Sequence, residues 1–157
     1  LKKVSYLRIT TKFFGEIDIS EKCLIHFDKG LPGFPEEKQF VLLSHGEGSP
    51  FVILQSTGNL EVAFILISPF TVMPHYEIQI TDSVKQELKI QETEDVQVWS
   101  IVVLREPISE STVNLKAPVI LNTKMNKAQQ VILEKGDYST RHPLVILQSN
   151  AEQGAGE

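Results

Sequence analysis

The chain has 157 residues, 41% hydrophobic and 22% charged, with a formal charge of −5 and a pI near 5.4. One domain of that size buries roughly 70% of the surface its unfolded form exposes, and the acidic balance disfavours nucleic acid, whose binding rests on Lys and Arg neutralising phosphate. The same balance suits a basic protein partner or simple solubility, and the lone Cys23 leaves no internal disulfide and no Cys-based zinc site.

Period-two alternation dominates the chain. Phe13, Ile17 and Ile19 stand on one parity against Glu16 and Asp18 on the other. Cys23, Ile25 and Phe27 then alternate with Leu24, His26 and Asp28. Both runs predict strands with one buried and one wet face. Cys23 is accordingly expected to be a buried packing thiol rather than a nucleophile, since nothing beside it lowers its pKa. Lys29-Gly30-Leu31-Pro32-Gly33 is a turn, and Leu31 to Phe34 suits type II, with Pro at i+1 and Gly at i+2. Phe51 to Leu54, Val62 to Ile67 and Val96 to Leu104 are apolar on both parities and predict central strands covered on both sides. Trp99, inside the last of these, is expected to be largely buried.

Gly46-Glu47-Gly48-Ser49-Pro50 and Thr57-Gly58-Asn59 read as hairpin loops. Pro69 and Pro74 bracket a segment that pairs poorly, an edge or loop. Tyr76, Ile78 and Ile80 alternate with Glu77 and Gln79, another strand pattern. Helix is predicted only for Asp82 to Lys89, where Ser83 and Gln86 suit a capping box and Val84 and Leu88 lie at i, i+4. Later strands are expected at Pro118 to Leu121, Gln130 to Leu133 and Leu144 to Leu147, with a turn at Gly136-Asp137. The organisation is one domain over 1–148. Residues 149–157, with no apolar side chain larger than alanine, read as a disordered tail. The fold class is all-β and mostly antiparallel, a small barrel or sandwich with one short helix.

Catalytic motifs do not emerge. The chain has no Gly-x-Ser-x-Gly elbow and no phosphate-binding loop. His26, His45, His75 and His142 lack the spacing of metal ligands on a helix or strand, so no metal site is expected. No apolar run reaches the ~20 residues a membrane helix needs, and nothing resembles a secretion signal. Glu92, Glu94 and Asp95 form the one carboxylate cluster. A solvated connection, an acidic face for a basic partner and acid–base work are all open to it.

Taken in order, a set of local patterns resembles the FliW family from about Thr11 to about Leu147. They begin with Phe14-Gly15-Glu16-Ile17 and Phe27-Asp28-Lys29-Gly30-Leu31-Pro32-Gly33-Phe34. Phe40-Val41-Leu42-Leu43, Pro50-Phe51, Leu54-Gln55-Ser56, Ala63-Phe64, Ser68-Pro69-Phe70 and Tyr76 follow. Beyond the short helix come Asp95-Val96 and Ile101-Val102-Val103-Leu104, then Asn114-Leu115-Lys116-Ala117-Pro118 with Asn122. Gln130-Val131-Ile132-Leu133 and Tyr138-Ser139-Thr140-Arg141-His142-Pro143-Leu144 complete the set. Several have structural explanations of their own: Asn114 and Asn122 can satisfy loop backbone, and His142 before Pro143 is held extended.

The resemblance implies a non-catalytic flagellar assembly factor in the cytoplasm, without cofactor and monomeric when free. Such a factor binds flagellin and, once freed from it, captures the CsrA-type translational repressor, so that flagellin synthesis is derepressed. It would bind no nucleic acid or membrane itself. Candidate repressor contacts are Glu92, Glu94 and Asp95. Candidate flagellin contacts are Phe70, Val72 and Met73, which either project from a proline-bracketed loop toward an amphipathic helix or cap the end of the core. A different reading is a small β-barrel enzyme holding a flavin-type cofactor in a cavity between its apolar strands.

Overall fold

The computed structural model describes residues 5–146. Strands β1 (Tyr6–Thr11) and β2 (Gly15–Ser20) form an antiparallel hairpin, registered from Tyr6↔Ser20 to Thr11↔Gly15. The hairpin packs on the main body through Ile9 and Ile19, which with Leu24 meet Val41. A 3-10 turn at Glu21–Cys23 follows, its start capped where Ser20 Oγ accepts the Lys22 N–H. That turn breaks the alternation and leaves Cys23 exposed, not buried as expected, while Leu24 takes the inward position.

The main body contains β3 (Ile25–His26), β4 (Gln39–Ser44), β5 (Phe51–Ser56), β6 (Ala63–Ile67), α1 (Pro69–Val72), α2 (Asp82–Glu87), β7 (Val96–Val103), β8 (Thr112–Val113), β9 (Val119–Asn122), β10 (Lys127–Gln130) and β11 (His142–Pro143). The sheet runs β7-β6-β5-β4-β3-β10-β9, and β9 returns to β7 with Val96 opposite Asn122 and Trp99 opposite Val119. Seven strands thus close a barrel, while β8 and β11 extend from β7 outside it. Among the described residues only β3 and β10 pair in parallel. The all-β, mostly antiparallel class read from the sequence is the one observed.

Two apolar layers use the two parities of the strands. Ile25, Phe27, Phe40, Leu54, Leu66, Val119, Leu121 and Ala128 fill the barrel, with Phe27 and Phe40 edge-to-face at 5.0 Å. Outside, Ile67, Val102, Val113 and Leu115 pack under Val72 and Tyr76, while Ile120 packs under Val84 and Leu88. Strands with apolar residues on both faces are therefore covered on both, as their patterns predict. Trp99 is only half-buried: its ring packs on the barrel filling, and its Nε1–H donates to the exposed Gln97 side chain at 3.1 Å.

Local chemistry refines other expectations. The predicted type II turn is present: Gly33 has φ +83° and the Phe34 N–H donates to the Leu31 carbonyl at 2.7 Å. The helix over Asp82–Glu87 is capped by Thr81, whose hydroxyl accepts the Val84 N–H, rather than by a Ser83–Gln86 box. Ser83 instead donates to Glu87. A second helix, one turn at Pro69–Val72, occupies the segment expected to be an edge or loop, with Pro69 at its tolerated first position. The strand expected at Leu144 to Leu147 is displaced: the ladder lies at His142–Pro143. Leu147 and the predicted tail over 149–157 fall outside the described residues.

Candidate functional site

Two segments that belong to no ladder, residues 77–81 and 131–136, lie side by side on the surface. They border a groove of about 610 Å³, completed by Tyr138. Its floor is apolar. Ile78 and Val131 reach the Val84, Leu88 and Ile120 cluster, and Leu133 and Tyr138 join the layer around Tyr76. Its rim carries Glu77, Glu134 and Lys135. The strand predicted for Tyr76 to Ile80 has the expected burial alternation, with Tyr76 buried and Glu77 and Gln79 exposed, but no strand beside it. Ala63 to Ile67 found neighbours on both sides; Tyr76 to Ile80 found none among the described residues.

Aromatic side chains join this groove to the helix α1. Phe70, 46% exposed, meets Tyr76 edge-on at 5.9 Å, and Tyr76 meets Tyr138 at 4.6 Å. Tyr76 donates its phenolic hydrogen to the Leu115 carbonyl at 2.7 Å, and the Glu77 N–H donates to Tyr138 Oη at 2.9 Å. Of the three predicted flagellin contacts, only Phe70 projects freely. Met73 is half-buried, and Val72 is a core residue, 6% exposed among Ile67, Val102 and Val113. The one-turn helix rather than a loop causes this, because it turns Val72 inward.

Burial pushes the Tyr76 phenol far above its ordinary value, and the neighbouring Tyr138 adds to the shift. The folded state therefore holds this proton more tightly than the unfolded chain. The resulting stability is complete below the unfolded value of about 10 and is lost as pH rises above it. Urea midpoints are expected to fall more steeply above pH 10 in the wild type than in Tyr76→Phe. Equal alkaline slopes would contradict this placement.

The acidic cluster lies elsewhere. Glu92 precedes a 3-10 turn at Thr93–Asp95 that leads into β7; Glu92 and Glu94 are exposed and Asp95 is half-buried. The Asp95 carbonyl accepts both the Thr123 N–H at 2.8 Å and its hydroxyl at 3.0 Å, fastening the turn to the β9–β10 hairpin. No ion pair engages the three carboxylates among the described residues, and none lines the groove. Nor does any group of three His, Cys, Asp or Glu among those residues sit as a metal site would.

An opening among Ile25, Phe27, Leu54 and Leu66 inside the barrel is about 10 Å³, far below the few hundred Å³ a small-molecule site needs. A flavin does not fit that opening. No helix among the described residues is long and apolar enough to cross a membrane. Fold and surface together define a filled β-barrel with a groove on its outer face.

Comparison with known proteins narrows this class. A family model described as FliW protein matches residues 8–144. The chain is 44% identical to the flagellar assembly factor FliW of Geobacillus sp. (strain WCH70) over 138 residues, 88% of this chain and 95% of that one. It is 45% identical to the same factor of Bacillus subtilis (strain 168) over 136 residues, 87% and 95% of the two chains. A crystal structure of the flagellar assembly factor FliW superposes with a TM-score of 0.83 at 40% identity, covering 88% of this chain and 97% of that one. The chain belongs to the FliW family.

Proposed function

We propose that this protein is a cytoplasmic, non-catalytic flagellar assembly factor, monomeric when free, with two protein partners. It binds flagellin and, when released from it, binds a CsrA-type translational repressor, which derepresses flagellin synthesis. The observation that carries this reading is the 44% identity to a flagellar assembly factor across 88% of the chain. Chemistry supports it: an RNA-binding repressor must present Lys and Arg to phosphate, and a chain of charge −5 is electrostatically suited to approach it.

Glu92, Glu94 and Asp95 are assigned to the repressor, and Phe70 and Met73 to flagellin, with Val72 supporting them from beneath. These surfaces flank opposite ends of β7, since Asp95 precedes its first residue and Val72 packs near Val102. At 3.3 Å per residue they lie roughly 20 Å apart.

Reversing the three carboxylates to Lys is expected to slow repressor association at low salt and flatten its salt dependence, as rim charges do. An unchanged on-rate measured by stopped flow would reduce the cluster to a solvated turn. Phe70→Ser with Met73→Ser is expected to weaken flagellin binding at least tenfold in calorimetry. Because Met73 is half-buried, the pair should also cost about 1–2 kcal/mol of stability, so the titration belongs well below the melting midpoint. Full affinity in the folded variant would move the flagellin surface elsewhere.

A further inference from the structure

We propose that the groove between residues 77–81 and 131–136 receives an extended segment of the client polypeptide as an added β-strand. This deepens the flagellin-binding reading and rests on it.

Backbone hydrogen bonding carries the inference. The stretch after β10 continues as an extended chain, held on one side only. The Val131 N–H donates to the Pro118 carbonyl at 2.9 Å, and the Leu133 N–H donates to the Lys116 carbonyl at 2.8 Å. In extended backbone, the N–H and C=O of one residue point to the same side and those of the next residue to the other. Ile132 and Glu134 therefore present their backbone groups away from 116–118, toward the groove. Neither finds a backbone partner among the described residues.

Across the groove, the N–H and C=O groups of Ile78, Gln79 and Ile80 also lack backbone partners among those residues. Two strand-patterned stretches, each with open hydrogen-bonding groups, thus border one slot. A helix satisfies its own backbone and would leave these groups unpaired; an extended segment completes them. The buried alternation of Tyr76 to Ile80 belongs to a strand, and the slot supplies the place where its neighbour is missing.

Side chains describe the occupant. The floor of Ile78, Val131 and Leu133 takes apolar residues at every second position. Ile132, 67% exposed, offers a further apolar contact on the rim. Glu77 and Glu134 outnumber Lys135 there, so outward positions of the guest are matched by neutral or basic residues. Through Tyr138 and Tyr76 the slot is continuous with exposed Phe70, which extends one surface rather than creating a second.

The test uses Ile132→Pro in the full chain, with Ile132→Ala as control. Proline removes the one N–H without touching a folded-state bond and keeps the residue before it extended. Titration with purified flagellin is expected to show at least tenfold weaker binding for Ile132→Pro and a change below threefold for Ile132→Ala. Hydrogen exchange of wild-type protein is expected to show the Ile132 and Glu134 amides slowed at least tenfold when flagellin is bound. If Ile132→Pro does not fold, that exchange measurement decides alone. Flagellin bound equally by wild type and Ile132→Pro, or amides that exchange unchanged in the complex, would overturn the strand slot and leave flagellin binding standing. Wild-type protein that ignores flagellin would sink the binding reading and the slot with it. Protection that depends on protein concentration without flagellin would assign the slot to a second copy instead.

Discussion

Gly30→Ala is expected to be among the most damaging single-methyl additions in this protein. Gly30 sits at φ +63°, and a Cβ placed there would lie 2.5 Å from the Phe34 carbonyl oxygen and 2.7 Å from the Pro35 backbone. Both neighbours are main chain, so no side chain can swing aside. The turn they form is closed twice, by Phe34 N–H to Leu31 O at 2.7 Å and by Leu31 N–H to Phe34 O at 3.2 Å. Opening it would drag Leu31, 3% exposed, out of the barrel filling and Phe34 off Phe64. The left-handed conformation alone costs roughly 1–2 kcal/mol for a residue with a Cβ. With the collision, a loss of about 3–5 kcal/mol is expected, a large part of a typical domain's stability. Gly33→Ala is the control, because φ is +83° there too but nothing lies within 4 Å of the added carbon. Urea midpoints should separate the two variants widely, and equal losses would contradict the steric argument.

Asn122→Ala is the second large loss. Asn122 is 1% exposed at the end of β9, and its amide group joins three parts of the fold. Nδ2 donates to the Leu88 carbonyl at 2.8 Å and to the Lys89 carbonyl at 3.1 Å, where α2 ends. Oδ1 accepts the Lys124 N–H at 3.0 Å and the Met125 N–H at 3.3 Å, shaping the β9–β10 turn. Alanine leaves those groups without their partner. Each unsatisfied buried group costs roughly 1–3 kcal/mol, and water can reach those nearest the turn, so about 3 kcal/mol is expected in all. Asn122→Asp retains the acceptor but not the donor, and should unfasten the helix end while sparing the turn. Amide exchange in α2 and in residues 123–126 would read the two halves separately. Loss of both in Asn122→Asp would show that the halves are not independent.

What the sequence revealed was mostly what period-two burial and turn chemistry control. β5, β6 and β7 were legible because closure of the barrel and its outer layer cover both faces, so apolar residues occupy both parities. The Leu31 to Phe34 turn was legible because Pro32 and Gly33 have narrow backbone preferences. Cys23 was misplaced because a three-residue helical turn shifts which side chain points inward, and alternation carries no sign of that shift. Val72, open in the sequence to projecting or to capping the core, does the second for a related reason. Two prolines argued against a ladder, but Pro69 is also a good first residue for a helix, and a helix buries Val72. Trp99 was over-buried because apolar residues on both parities show that a strand is covered, not how completely each position is. The groove was missed although half of its signal was visible. Tyr76 to Ile80 has a strand's alternation, but whether a strand finds a neighbour is decided by the rest of the fold. The hydrogen bonds of Asn114, whose Oδ1 accepts the Lys116 and Ala117 N–H groups at 3.1 and 2.9 Å, were foreseeable from an Asn beside a loop.

The most direct measurement is fluorescence anisotropy of a labelled flagellin-leader RNA bound to the purified CsrA-type repressor. Adding this protein is expected to release the RNA and lower the anisotropy, and adding flagellin afterwards is expected to restore it. Anisotropy that stays high when the protein is in excess over the repressor, or release that flagellin does not reverse, would contradict the partner switch.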